Sequence, residues 1–553
     1  MISGLSSRLF ISSSKVRVLI KMKRTIAFLL ASIFLTAAVF SEKYKISQVN
    51  YDIVGMTRQY ALERNIEIDK DRIFETFEDF NAYLDNLRQL FKNERNLESS
   101  VIYAKYDSEL NKEEIINVTL NISTQDSKHF LVVPYPKYNS NDGLVVKLKA
   151  KDTNFLGTLE TLDLDFNFSY EPQDTDSDSS DYDTIFGINL SYDYPFKLWK
   201  LDSKWENSFS LDYTIGKEKP EFSYETGFVF ELPLDRLKIT LDLTQGIERN
   251  FDYTEYGDEL FMTESAKLSL PYKIATIDNF DDVTWGPYIA YSWYWDDDGI
   301  SETNEDLTSP TLKVGHSVST GRVNWTDNFR DGVDLSMDQY IGYNYQKREY
   351  IASVSGTMEL YKSFFNRFGI YSRFYGFYNY NQNTSIGSYL RGIRDDQRYQ
   401  SDAWAEAGLS GEPAKALNTS AAIVMNFDMP FRIITTDWLA FNRFCFGEDS
   451  WLTNHLNWMR YFDFELQMSP FVDIAFANNL VTEKTFAIKD GWYAAGLEVL
   501  VFPAKWRSLV VRASAGVDVG RKVVKKIISK LIDDDWRKQV SAFELSIGIG
   551  LHY

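Results

Sequence analysis

The sequence predicts a mainly β protein: a transmembrane antiparallel β-barrel of sixteen strands, preceded by a small α/β domain. Three observations predict it. Apolar and polar residues alternate with period two through most of the chain beyond Pro134. The last segment is the clearest of these alternations and ends on an aromatic residue. An apolar run near the N-terminus has the form of an export signal.

That run comes first in the chain. Lys21, Lys23 and Arg24 precede apolar residues 25–40, and the polar Glu42, Lys43, Tyr44 and Lys45 follow. Val39 and Ser41 suit cleavage after Ser41, so residues 1–41 are expected to be a signal peptide. Met22 opens a conventional signal by itself, so residues 1–21 read as an over-called start. The alternative is an uncleaved anchor, for which the run is short of the roughly twenty apolar residues a spanning helix needs.

Composition fits a barrel better than a helical membrane protein. Aromatics are 16% of the 553 residues, yet mean hydropathy is only -0.31. Alternate strand residues face lipid while the lumen stays polar, so a barrel needs no long apolar runs. A formal charge of -20 excludes a nucleic-acid partner, because phosphate binding needs clustered Lys and Arg. Cys445 is the single cysteine, and His129, His316, His455 and His552 lie far apart in sequence. No catalytic, metal or cofactor residue is assigned, and the chain is not expected to be an enzyme.

Residues 42–132 are expected to form the small domain. Ile46, Val49, Tyr51 and Ile53 mark a strand ended by Gly55. Phe80, Tyr83, Leu84, Leu87, Leu90 and Phe91 recur at helical spacing, and strands follow at 101–106 and 115–122. This order resembles a POTRA domain, the periplasmic module found before outer-membrane assembly barrels. The resemblance implies a sheet edge able to take up an unfolded strand. A cap with no binding role is the alternative.

Residues 133–553 are expected to form the barrel. Leu162, Leu164, Phe166, Phe168 and Tyr170 alternate with Asp163, Asp165, Asn167 and Ser169. Similar alternations run through Phe186, Ile188, Leu190 and Tyr192, and through Leu237, Ile239, Leu241 and Leu243. A half-buried soluble sheet gives the same pattern, and its persistence tips the reading toward a bilayer. Roughly 415 residues at about 25 per strand and connection give sixteen strands. In the last segment Phe543, Leu545, Ile547, Ile549, Leu551 and Tyr553 are expected on one face, as a C-terminal insertion signal. The acidic run 174–183 and Asp296, Asp297 and Asp298 read as polar turns, and residues 522–536 as a short amphipathic helix.

Three motifs carry a more specific resemblance. Asp152, Thr153, Asn154, Phe155, Leu156 and Gly157 resemble the first-hairpin signature of BamA- and TamA-type barrels. Leu390, Arg391, Gly392 and Ile393 resemble that family's Val-Arg-Gly-Phe/Tyr motif, on a loop that folds back into the lumen. Phe471, Val472, Asp473, Ile474 and Ala475 resemble a family strand motif. Leu390 and Ile393 depart from the commoner Val and aromatic. The resemblance implies that Arg391 pairs with Asp473 to pin the loop.

The function the resemblance implies is insertion, assembly or translocation of outer-membrane proteins. It would act through a lateral seam between a first strand near residues 144–150 and a last strand at 542–553. The implied location is the bacterial outer membrane, with the small domain in the periplasm. Expected partners are outer-membrane lipid, unfolded outer-membrane or secreted clients, and periplasmic accessory proteins or chaperones; no cofactor is implied. The alternatives are a two-partner-type secretion transporter for one protein, and a porin or structural surface antigen.

Overall fold

The computed structural model describes residues 42–107, 115–139, 143–172, 182–277, 281–393, 417–448, 450–479, 483–520 and 543–552. The signal-peptide region, most of the acidic run, residues 522–536 and Tyr553 lie outside the described residues. Contacts divide the chain into two units. The smaller holds the chain through Asp52, Glu67–Arg88 and Val101–Ser123; the larger holds Ile53–Ile66, Gln89–Ser100 and Thr124–Tyr553.

The first six elements are β1 (Lys43–Val54), α1 (Gln59–Asn65), β2 (Ile73–Phe74), α2 (Phe77–Asn93), β3 (Leu97–Tyr106) and β4 (Ile115–Asp126). The strands form one sheet in the order β2-β1-β4-β3. In the smaller unit Tyr44, Phe74, Phe80 and Leu84 are buried, and Tyr44 stacks on Phe80 at 5.6 Å between ring centroids. The apolar stripe of the helix, spaced three and four residues apart, covers the inward side chains of the strands.

The larger unit is a closed antiparallel barrel. Its strands open with β5 (Phe130–Asn139), β6 (Gly143–Asp152), β7 (Leu162–Pro172), β8 (Tyr182–Leu198), β9 (Leu201–Thr214), β10 (Glu221–Leu234) and β11 (Leu237–Arg249). Next come β12 (Leu260–Ser269), β13 (Tyr272–Ile277), β14 (Asp281–Trp295), β15 (Thr311–Thr326), β16 (Phe329–Asn344), β17 (Glu349–Phe364) and β18 (Phe368–Tyr380). A two-stranded clip, β19 (Thr384–Ser385) with β20 (Asn418–Thr419), leads to β21 (Ala421–Asp428) and β22 (Phe431–Thr435). Helices α3 (Trp438–Phe446) and α4 (Trp451–His455) precede β23 (Phe464–Asn479), β24 (Lys484–Thr485), β25 (Trp492–Pro503), β26 (Val511–Asp518) and β27 (Phe543–Ile549).

Three short segments continue a neighbour's stave: β13 extends β12, β22 extends β21, and β24 extends β25. Among the described residues the barrel therefore has eighteen staves, not the expected sixteen. Turn length explains the difference. Register pairs Leu198 with Leu201, Leu234 with Leu237 and Thr326 with Phe329, so these hairpins turn on two residues. Trp199, Asp235 and Asp327 take the positive φ such turns need. Those turns, with the one at 153–161 and the longer segment 436–463, form one rim of the barrel; connections such as 250–259 and the one leaving β18 form the other.

The first stave also starts earlier than expected. Its two prolines, Pro134 and Pro136, are tolerated because one edge of this stave is lightly paired. The motif of residues 152–157 consequently joins the second and third staves, and the last stave closes on Phe130–Asn139 rather than on 144–150.

The outer wall is apolar. Phe166, Phe186, Leu243, Trp285, Ile289, Trp293, Val354 and Leu545 are all exposed, whereas inward neighbours such as Ser169, Asn426 and Asp473 are buried and polar. A soluble protein does not display so broad an apolar band; a bilayer covers it. Among the described residues no helix is long and apolar enough to cross a membrane.

Candidate functional site

Two places in the barrel concentrate the sequence motifs: a loop folded into the lumen and the junction of first and last staves. The loop leaves β18, is clipped where Thr384 pairs with Thr419, and turns at Gly387–Tyr389. Leu390, Arg391, Gly392 and Ile393 follow, all buried. Leu390 and Ile393 join Phe377, Ile386, Leu417, Val424, Ala475 and Trp492 in an apolar cluster. These aliphatic side chains, where the resembled motif has Val and an aromatic, fill space between loop and wall.

Arg391 is 3% exposed and surrounded by carboxylates. Its Nη1 and Nη2 donate to the two oxygens of Asp428 at 2.8 and 3.2 Å. Its Nε and Nη2 donate to the two oxygens of Asp473 at 3.0 and 2.7 Å, and its backbone N–H donates to the same carboxylate at 2.9 Å. Glu498 Oε1 lies 3.3 Å from Nη1, and the guanidinium stacks 3.8 Å from the Phe471 ring centroid. Two forks against two carboxylates use the planar geometry that Lys lacks. Burial opposes the charge, but Asp428, Asp473 and Glu498 outweigh it and hold the Arg391 pKa above its ordinary value.

A second ring of contacts orients these carboxylates. Asn426 Nδ2 donates to Asp473 Oδ1 at 2.8 Å and to the Tyr389 carbonyl at 2.7 Å. Arg373 donates to Asn426 Oδ1 through Nε at 3.0 Å and Nη2 at 2.9 Å, and it lies over the Tyr389 ring. Gly392 has φ +86°, and a Cβ there would stand 2.3 Å from the Gly516 carbonyl carbon. The loop backbone thus rests directly on β26, which requires glycine on the loop side.

Sequence reading missed Asp428, Glu498 and Phe471 as partners of Arg391, and Asn426 as the residue that orients Asp473. A signal was present: Glu498 interrupts the apolar run of β25 at the inward position, and Asp428 ends β21 at the same parity as Asn426. An isolated carboxylate at an inward position of an apolar stave asks for a buried cation.

The 152–157 motif is a tight turn. Asn154 is fully buried, donates to Thr57 Oγ1 at 2.8 Å and accepts from the Leu159 N–H at 2.9 Å. Asp152 Oδ1 accepts from the Asn154 N–H at 3.0 Å and lies 2.6 Å from His129 Nδ1. The Gly157 carbonyl accepts from the Arg58 N–H, and a Cβ on Gly157 would collide with the Met56 carbonyl oxygen. Phe155 packs edge-on against Tyr192.

In the last stave Phe543, Leu545 and Ile547 are exposed on the outer wall, with Glu544 and Ser546 buried. The expected alternation stops at Ile549. Gly550 takes φ +99°, and the bend turns Leu551 against Leu500, Phe502 and Val510 instead of the outer face.

The junction of β27 and β5 is short. Among the described residues three positions pair (Glu544 with Asn139, Leu545 with Tyr138, Ser546 with Lys137), against seven between β26 and β27. Alternate residues of an antiparallel strand direct their N–H and C=O to opposite neighbours. The Phe130 carbonyl accepts from Trp506 Nε1 on the β26 side, while the His129 carbonyl accepts from Thr153 beyond β6. The even-numbered residues of β5 therefore face the last stave. Pro134 and Pro136 occupy the next two donor positions and have no N–H to offer. Tyr135 instead lies against Gly548, where any Cβ would meet its ring.

The fold and wall define a transmembrane antiparallel β-barrel of the outer-membrane kind. No protein-family model matches the sequence, and no curated protein matches it. Solved structures similar to this chain include BamA from Haemophilus ducreyi lacking POTRA domains 1-3, at 11% identity and TM-score 0.34, over 90% of this chain and 84% of that one. CdiB from Acinetobacter baumannii is similar at 11% identity and TM-score 0.43, over 91% and 74%. CdiB from Escherichia coli is similar at 9% identity and TM-score 0.35, over 92% and 91%.

Proposed function

We propose that this barrel inserts, assembles or translocates client proteins at the outer membrane, by parting the β27–β5 seam, with the α/β domain in the periplasm. The observation that carries the reading is the seam: three paired positions among the described residues, then two prolines turned toward the last stave. Each backbone hydrogen bond is worth about 0.5–1.5 kcal/mol net, so this junction is weaker than its neighbours by several kcal/mol. Parting it presents two strand edges on which an incoming strand can pair. The Arg391 loop supports the reading from the other side of the wall. Pinned across β21, β23 and β25, it braces the staves before the seam and occupies lumen that a passive pore would leave open.

Depletion tests the function. Broad loss of many outer-membrane barrels is the expected result; loss of one exported protein would instead make it a dedicated secretion transporter. Locking the seam tests the mechanism. In a Cys445→Ser background, Tyr138→Cys with Leu545→Cys should form a disulfide across paired positions and abolish activity until reduced. Full activity of the oxidised, locked protein would refute seam opening.

A further inference from the structure

The connection from β22 to β23 is built inside out. Helices α3 and α4 and the turn Asn457–Phe462 pack on polar side chains: Asn442 and Thr453 are only 2% and 4% exposed. Thr453 Oγ1 donates to the Gly447 carbonyl at 2.7 Å, and Asn442 Nδ2 donates to the Leu456 carbonyl at 3.4 Å. The large apolar groups are outside. Phe444 is 89% exposed and Trp451 70%, with Phe441, Trp458, Tyr461 and Phe462 also exposed. A water-facing helical pair of this composition buries its aromatics and exposes its amides. The reverse arrangement suits an apolar surrounding, where backbone and amide groups must be satisfied internally.

What covers these rings follows from where they sit. The segment leaves the wall from β22, whose register shifts between Arg432 and Ile434, so that Ile433 and Ile434 are both exposed. Thr435, Thr436 and Asp437 separate this exposed wall from the aromatic surface; Thr436 Oγ1 donates to the Phe464 carbonyl and Asp437 accepts from the Ala440 N–H, so both are satisfied within the chain. The aromatic surface also carries the chemistry of a membrane interface, Trp and Tyr rings beside cations: Arg443 is exposed, and the Arg460 guanidinium lies 5.1 Å from the Tyr461 ring.

We infer that the α3–α4 segment is a lipid-binding paddle. It lies in the headgroup–acyl boundary beside the barrel, its aromatic rings in the leaflet at the short-turn rim and Arg443 and Arg460 toward lipid phosphates. With the orientation proposed above this is the periplasmic leaflet of phospholipid. The inference rests on the membrane-spanning fold, not on the assembly role, so the two fail separately.

The chain supplies its own probe, because its single cysteine, Cys445, is exposed on α3. The full protein is refolded into phosphatidylethanolamine–phosphatidylglycerol vesicles with a spin label at Cys445. Its collisions with a water-soluble nickel chelate and with oxygen are compared with the urea-unfolded chain. Chelate access should fall by about fivefold while relative oxygen access rises, as for a site at the acyl boundary. The triple change Phe444→Ser, Trp451→Ser, Phe462→Ser should restore chelate access while heat-modified gel mobility shows the barrel still closed. Unchanged chelate access in vesicles would overturn the inference. So would protection found only in native outer-membrane fragments, which would make the covering surface a partner protein.

Discussion

Replacing Arg391 by alanine removes the cation on which three inward carboxylates converge. Asp473 and Glu498 are 0% and 5% exposed and Asp428 9%, so water cannot take the place of the guanidinium. Breaking a buried ion pair from one side costs about 3–5 kcal/mol, because the partner charge stays buried and uncompensated. Some of that is recovered because Glu498 keeps Arg512 at 3.9 Å. Arg391→Lys keeps the charge but loses both forks and should cost about 1–3 kcal/mol. The assay is protease cleavage within residues 386–420 of the folded barrel in vesicles, with urea unfolding read alongside. A loss of this size, confined to the loop, raises cleavage on the order of a hundred- to a thousandfold. Pairing Arg391→Ala with Asp473→Asn should give a double change less damaging than the sum, since both break the same ion pair and the double leaves neither of its charges orphaned. If Arg391→Ala changes cleavage and stability by less than about 0.5 kcal/mol, the cluster does not hold the loop.

Gly392→Ala should release the same loop without altering any charge, since its Cβ would drive into the Gly516 backbone; loop proteolysis should approach that of Arg391→Ala. Pro134→Ala with Pro136→Ala supplies two donors facing the last stave and should strengthen the seam by about 0.5–1.5 kcal/mol per bond, seen as a higher urea midpoint together with lower client insertion. Asn154→Ala leaves the Leu159 N–H without its partner and takes one of two hydrogen bonds from the Thr57 hydroxyl, which keeps Asp126; it should cost about 1–3 kcal/mol in urea unfolding, with the Arg391 loop still protected from protease.

The large-scale fold was legible because its signal is local. Alternation in Leu162–Tyr170 or Phe543–Ile547 is dictated by which neighbours face lipid, and each stave carries that pattern by itself. Stave number was less legible, because two-residue turns at Trp199–Lys200 and Asp235–Arg236 lack Gly or Asn, and Pro134 and Pro136 disguise the first stave. The aromatic segment after β22 escaped notice for a related reason. Its apolar residues continue the composition of the wall, and only the folded chain shows that they cover helices packed on Asn442 and Thr453.

The sequence by itself determined the barrel class; through the family resemblance it also pointed to Arg391 and Asp473. These follow from periodicity and short motifs, which need no knowledge of distant neighbours. Tertiary structure alone decided that Asp428 and Glu498 share the guanidinium, that Gly550 turns Leu551 inward, and that the last stave closes on Phe130–Asn139. Each of these joins residues far apart in sequence, and register around a closed sheet, not any local preference, sets which of them meet.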